Sequence, residues 1–262
     1  MRNAKLPLAV FLAVGVTRQA DRQTLILGAL VLVLTYGFIA VYNDITDVAA
    51  DRLNGRSLPL ATGELTERDA LILLVFLLAS ISTLLVFWSS TPAALCVAGV
   101  SAVGFAYSAP GLRLSDRGFV GAAVLASAYV ATPLVLATTL TNGSLLRSAG
   151  IALVALPFAV ATSLYKDFGD EKGDESIGKA TPLVRYGDRV VLEVAIRLQL
   201  IGLAAAALLA ILTEHHFGWW LPLGLGSLGL SLALRIRMRP NLVQLHRFMT
   251  TGTVVALAVF MA

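Results

Sequence analysis

Residues 24–51 read TLILGALVLVLTYGFIAVYNDITDVAAD. An apolar run of about 22 residues, 24–45, closes on three aspartates, Asp44, Asp47 and Asp51. A helix needs roughly 20 apolar residues to cross a bilayer. In lipid only helices and closed barrels satisfy the backbone, and this run is too long and continuous for a barrel strand. The stretch therefore predicts a membrane-spanning helix that delivers three carboxylates to one membrane face. The pattern occurs twice. The apolar run 146–164 is followed by Tyr165-Lys166-Asp167-Phe168-Gly169-Asp170-Glu171-Lys172-Gly173-Asp174. Both triads have the form D-x2-D-x3-D, and 123 residues separate them at all three positions. A duplicated helix-loop element accounts for this.

Working outward, apolar runs fall at about 4–20, 24–45, 68–88, 91–109, 117–140, 146–164, 190–213, 217–236 and 241–262. The chain of 262 residues is 57% hydrophobic and 14% charged, where a soluble domain carries about 25% charged residues. The expected fold is all-α, one membrane domain over residues 1–262 with nine transmembrane helices. Met1–Val16 has the basic start and apolar core of a signal peptide, but no small-residue cleavage site precedes Thr17–Gln23, so it is read as the first span. If the loops alternate between the two sides, 16 of the 20 Lys and Arg fall on one side and 3 on the other, with Arg197 inside a span. Such a bias places the first side in the cytoplasm. Both triads lie there, so the active site is expected on the cytoplasmic face of a multi-pass membrane protein. The net charge of +4 is accounted for by this loop bias, which argues against nucleic acid as a partner. Cys96 is the sole cysteine and forms no intrachain disulfide.

Spacing of i, i+3, i+7 puts carboxylates on one helix face, where they repel one another without a counter-ion. Magnesium suits them: it takes oxygen ligands, usually one or two carboxylates with water and substrate phosphate completing the shell. Asp44, Asp47, Asp51, Asp167, Asp170 and Asp174 are thus candidate metal ligands and catalytic residues, with a diphosphate held between the triads. Neither loop carries the ligands at positions 1, 3 and 5 and the Glu at 12 of a calcium-binding EF-hand. Arg52, Arg56, Arg113, Lys166 and Lys172 lie on the same side and are candidates for diphosphate oxygens, though each also satisfies the topology bias. Asn43, before Asp44, offers an amide oxygen to metal.

Residues 43–54 and 165–174 resemble the two aspartate-rich motifs of the UbiA superfamily of intramembrane prenyltransferases. Tyr107-Ser108-Ala109-Pro110-Gly111-Leu112-Arg113-Leu114 resembles that family's loop after the fourth span. Thr181-Pro182-Leu183-Val184-Arg185-Tyr186-Gly187 resembles the segment closing its second polar loop. Leu58-Pro59-Leu60-Ala61-Thr62-Gly63-Glu64 is most similar to the homogentisate and chlorophyll-type branch; the 4-hydroxybenzoate branch more often has Arg where Leu58 stands. The resemblance implies nine helices around a central cavity with cytoplasmic cap loops. It also implies a reaction: Mg2+ holds an isoprenoid diphosphate donor, the C–O bond ionises, and the allylic cation alkylates a small aromatic acceptor. Tyr42, Phe105, Tyr107, Tyr129, Phe158 and Tyr165 are candidates to line such a cavity and steady the cation, with Tyr107 and Tyr165 next to the substrate. Trp219 and Trp220 read as an interfacial belt. A class I terpene cyclase on the same scaffold, which needs no acceptor, fits these features equally. A transporter fits less well, since it predicts charges along the spans and these carry almost none.

Overall fold

The computed structural model describes residues 4–88, 90–168, 171–213, 218–236 and 240–261. Among them there is no strand. The helices are α1 (Lys5–Thr17), α2 (Arg22–Thr46), α3 (Val48–Leu53), α4 (Pro59–Thr62), α5 (Glu67–Trp88), α6 (Thr91–Ser108), α7 (Phe119–Leu140), α8 (Leu145–Leu164), α9 (Glu171–Ser176), α10 (Pro182–Leu212), α11 (Trp220–Ile236) and α12 (Pro240–Met261). Seven of these, α2, α5, α6, α7, α8, α10 and α12, are long and apolar enough to cross a membrane. The apolar helices α1 and α11 are shorter. Each of the nine apolar runs has become one helix. The largest departure is α10, which begins eight residues before the run at 190. Thr181 caps its start, accepting from the Val184 amide, and Pro182 occupies the first turn, where no donor is missed. Gly187 then breaks the helix at φ 74°, a conformation that costs glycine little. The first five residues of α10 are therefore set off from the remainder of the helix by this break.

The helices pack by close backbone approach, as expected where lipid supplies no hydrophobic contrast and packing must hold the bundle together. Gly28 of α2 lies under the Phe11 ring of α1, Gly104 of α6 under Ile39 of α2, and Gly202 of α10 under Phe158 of α8. Helix α7 lies against α1, α2, α6 and α8; α8 also meets α10 and α12; and α1 meets α12, so the first and last helices are neighbours. Helix α5 rests on α2 with only Ala70 and Ile81 buried. Its Ile72, Val75 and Phe76 are exposed, as an outward, lipid-type face would be. A buried polar set ties the last helices: Gln199 and His246 are 2.6 Å apart, and Ser231 donates to Gln199 Oε1 at 3.1 Å.

The short helices sit at one end of the bundle. Helix α3 follows α2 and touches both α4 and α9, while α9 touches α10. Both α3 and α9 are six residues long, and 123 residues separate them at both ends. The spacing seen in the aspartates thus extends to the short helices that carry the third aspartate of each triad, Asp51 and Asp174.

Candidate active site

The first triad straddles a break. Asp44 lies in the last turn of α2, Asp47 (φ −105°, ψ 8°) joins α2 to α3, and Asp51 lies in α3. The chain bends there without losing its hydrogen bonds: the Asp47 amide donates to Asn43 and the Asp51 amide to Asp47, both at 2.9 Å. The second triad departs further from the single helix face expected of it. Asp167 follows the end of α8, whose last turn tightens as Lys166 N–H bonds back to Ser163 O at 3.3 Å. Asp174 lies in α9, and Asp170 falls outside the described residues. The two loops are tied together across the duplication, because Gly173 N–H donates to Asn54 Oδ1 at 2.9 Å.

The bends turn the carboxylates into one cavity of about 170 Å3. Asn43, Asp44, Asp47, Asp51, Arg56, Tyr107, Lys166, Asp167 and Asp174 line it. So nine of the fourteen residues proposed from sequence to contact metal or substrate meet at one place. Asp47, Asp167 and Asp174 are the buried carboxylates among the described residues, and all three are triad members. Burial raises the pKa of Asp174, against the pull of Lys179. Basic groups answer these charges. Lys166 Nζ lies 3.4 Å from Asp167 Oδ1 and donates to the Tyr107 hydroxyl at 3.1 Å. Burial works against its ammonium, yet Asp167 and then Tyr107 hold its pKa above the ordinary lysine value. Asp47 receives Arg113 at 3.6 Å, Lys179 at 2.7 Å and the Asn43 amide nitrogen at 2.6 Å. Asn43 therefore turns its nitrogen, not its oxygen, towards Asp47.

Three other sequence candidates stand apart from the cavity lining. Arg52 donates to the carbonyls of Ala61 and Leu60, at 3.3 and 3.4 Å, and so braces α4 on α3. Arg113, held at φ 30°, reaches the site only through Asp47 and pairs with Asp116 at 3.3 Å. Tyr165 is buried against His246, with ring centroids 4.1 Å apart. The side chain of Lys172 lies outside the described residues. Of the remaining aromatics Tyr129 lines the cavity; Tyr42 and Phe105 stack on each other at 4.8 Å, and Phe158 is core. Sequence reasoning missed Lys179, Arg247, Asn54, Leu58 and Ser108, which also line it. The Ser108 hydroxyl is buried and without a hydrogen-bond partner among the described residues. Leu58 was noted only for its branch; a cavity position gives that choice a consequence, since an Arg there would add a cation.

A second cavity of about 600 Å3 adjoins the first, between α1, α7, α8 and α12. Leu125, Tyr129, Lys166 and Arg247 line both. The second adds Leu6, Ala126, Ala159 and Phe248 to its walls. A polar chamber thus opens beside a larger, more apolar one.

The donor chemistry of the first chamber fits a hard divalent ion. Its ligating groups are carboxylate, amide and hydroxyl oxygens, and no His or Cys lines it among the described residues. No three Asp, Glu, His or Cys side chains converge on one point among the described residues; the Lys179 ammonium stands between Asp47 and Asp174 instead.

Known proteins share this architecture. A UbiA homologue from Archaeoglobus fulgidus, solved with GPP and Mg2+, superposes with a TM-score of 0.72 over 97% of this chain and 92% of its own, at 20% identity. A digeranylgeranylglyceryl phosphate synthase gives 0.65 over 99% of this chain and 98% of its own, at 18% identity. The chloroplast chlorophyll synthase of Arabidopsis thaliana is 27% identical over 161 residues, 58% of this chain. That match spans only 41% of the synthase's length. Residues 5–260 match the sequence profile of the UbiA prenyltransferase family, so this integral, multi-pass membrane protein, with its paired aspartate motifs on one cavity, belongs to that family.

Proposed function

We propose that the chain is a Mg2+-dependent intramembrane prenyltransferase. In this reading it forms one domain of nine spans, α1 and α11 included, with α3, α4 and α9 capping a site on the cytoplasmic face. It takes an isoprenoid diphosphate and passes the prenyl group to a small acceptor, of aromatic type. The observation that carries the reading is that two triads 123 residues apart line one chamber beside a larger apolar one.

Asp44, Asp47, Asp51, Asp167 and Asp174 would hold the metal, with Asp170 as the sixth carboxylate of the pattern. The chemistry such an ion supplies when bound is neutralisation of the diphosphate oxygens and of the charge that develops as diphosphate departs. Lys166, Arg56 and Arg247 line the chamber and would bind the same oxygens. The prenyl chain would lie in the larger cavity, between α1, α7, α8 and α12. When the C1–O bond breaks, its electron pair leaves with diphosphate. The acceptor then supplies the pair for the new bond to C1 and loses a proton. Tyr129, shared by both cavities, would face the place where positive charge develops, and a ring there contributes about 0.5–2 kcal/mol. Walls such as Leu125 and Phe248 keep water from the cation.

The test uses membranes containing the protein, Mg2+, and geranyl, farnesyl or geranylgeranyl diphosphate, with and without aromatic acceptors. Acceptor-dependent adducts are expected. Cyclic product formed without acceptor would replace this reading with a terpene cyclase on the same site, and failure to release diphosphate from any donor would overturn both.

A further inference from the structure

We propose that Lys179 is a resident counter-ion shared by the two aspartate triads and becomes a ligand of the donor's diphosphate once a divalent ion enters. This rests on the reading of the chamber as a metal–diphosphate site. Lys179 Nζ is 2.7 Å from Asp47 Oδ2 and 3.8 Å from Asp174 Oδ1, and its side chain is 11% exposed. It therefore bridges one carboxylate from each triad. Buried carboxylates held this close need a cation, and the ammonium supplies one where no three acids converge among the described residues.

Its backbone is fixed, so any movement belongs to its side chain. Lys179 N–H donates to Asp174 O at 2.8 Å, and Gly178, at φ 69°, sets the turn before it. From that pivot a four-carbon arm reaches across the chamber. A divalent ion arriving between Asp47 and Asp174 meets a like charge already in place, so the ammonium must withdraw. A diphosphate arriving with the ion offers the displaced ammonium new oxygens. Metal and diphosphate thus favour one another's binding, a positive coupling in which Lys179 is the shared element.

Mn2+ serves as the probe, titrated by electron paramagnetic resonance into the full chain in detergent micelles, alone and with inorganic pyrophosphate. Lys179→Met is expected to bind Mn2+ alone about tenfold more tightly, the order of one charge-assisted hydrogen bond. It should also lose most of the tightening that pyrophosphate gives the wild type. Lys179→Arg, which keeps the charge, should stay close to wild type. A second measurement needs no variant: acetylation of Lys179, read by mass spectrometry against exposed Lys5, should rise with Mn2+ alone and fall again with Mn2+ and pyrophosphate. Unchanged or weaker Mn2+ binding in Lys179→Met, or no rise in acetylation, overturns the proposal while the metal site stands. Absence of Mn2+ binding in the wild type overturns the metal reading itself, and this inference with it.

Discussion

At the scale of single residues, position in the chamber separates groups that look alike in sequence. Arg52 and Arg56 are four residues apart in one polar loop, yet only Arg56 lines the cavity. Arg56→Ala should raise KM for the diphosphate donor, whereas Arg52→Ala should leave KM near wild type. The latter should instead lower thermal stability, by about 1 kcal/mol for the lost bonds to Leu60 and Ala61. Initial-rate kinetics and melting in detergent read the two effects. Asp44→Ala and Asp167→Ala should each lower turnover by at least about 100-fold, the order of removing one main electrostatic stabiliser, while the protein still inserts. Near-normal turnover in either variant would refute the two-triad site. The triads were legible because acids contribute little to membrane topology, so their repeated spacing had no other cause. Lys179 and Arg247 were hidden by the opposite circumstance. A cation on that side is expected from topology alone, and nothing local marks one as facing a cavity.

Among the elements, α3 and α9 make the site one unit rather than two motifs. Their link is the bond from Gly173 N–H to Asn54 Oδ1, and a Cβ on Gly173 would lie 2.3 Å from that oxygen. Gly173→Ala should therefore part the two loops and depress kcat, with little effect on the melting of the bundle. A parallel loss in Asn54→Ala, measured by the same assay, would identify the link as the cause. Gly28 offers the contrasting case. A Cβ there meets Phe11 Cζ at 2.2 Å, and a buried ring cannot yield as a polar tip can. Gly28→Val should destabilise the α1–α2 contact by about 1–3 kcal/mol, seen as a lower melting midpoint in detergent. The helices themselves were readable from apolar length. The break at Gly187 was not, because a helix start inside a polar loop has no apolar run to announce it.

For the whole molecule, the order of the nine apolar helices was accessible from sequence; the short helices α3, α4 and α9 and the arrangement of the bundle were not. Lipid is as apolar as the bundle interior, so the outward face of α5 and the inward face of α7 read alike. Trp219 and Trp220 show the same limit: Trp219 is exposed, but Trp220 is fully buried, with Phe260 at 6.2 Å between ring centroids. The one-sided charge is a whole-chain property and gives a whole-chain test. With Cys96 replaced by Ser, a cysteine at Ser57 should react with an impermeant maleimide only from the cytoplasmic side. A cysteine at Gln23 should react only from the other. Labelling of both from one side would contradict the nine-span topology. Finally, the contact between α1 and α12 bears on how the protein is made. Leu6 of the first helix and Phe248 of the last line the same cavity. Because a chain is synthesised from its N-terminus and its early segments settle first, α1 must wait in the bilayer until α12 has been made. A nascent chain halted before α12 would carry every aspartate of both triads and still lack one wall of the larger chamber, so the two chambers are not completed together.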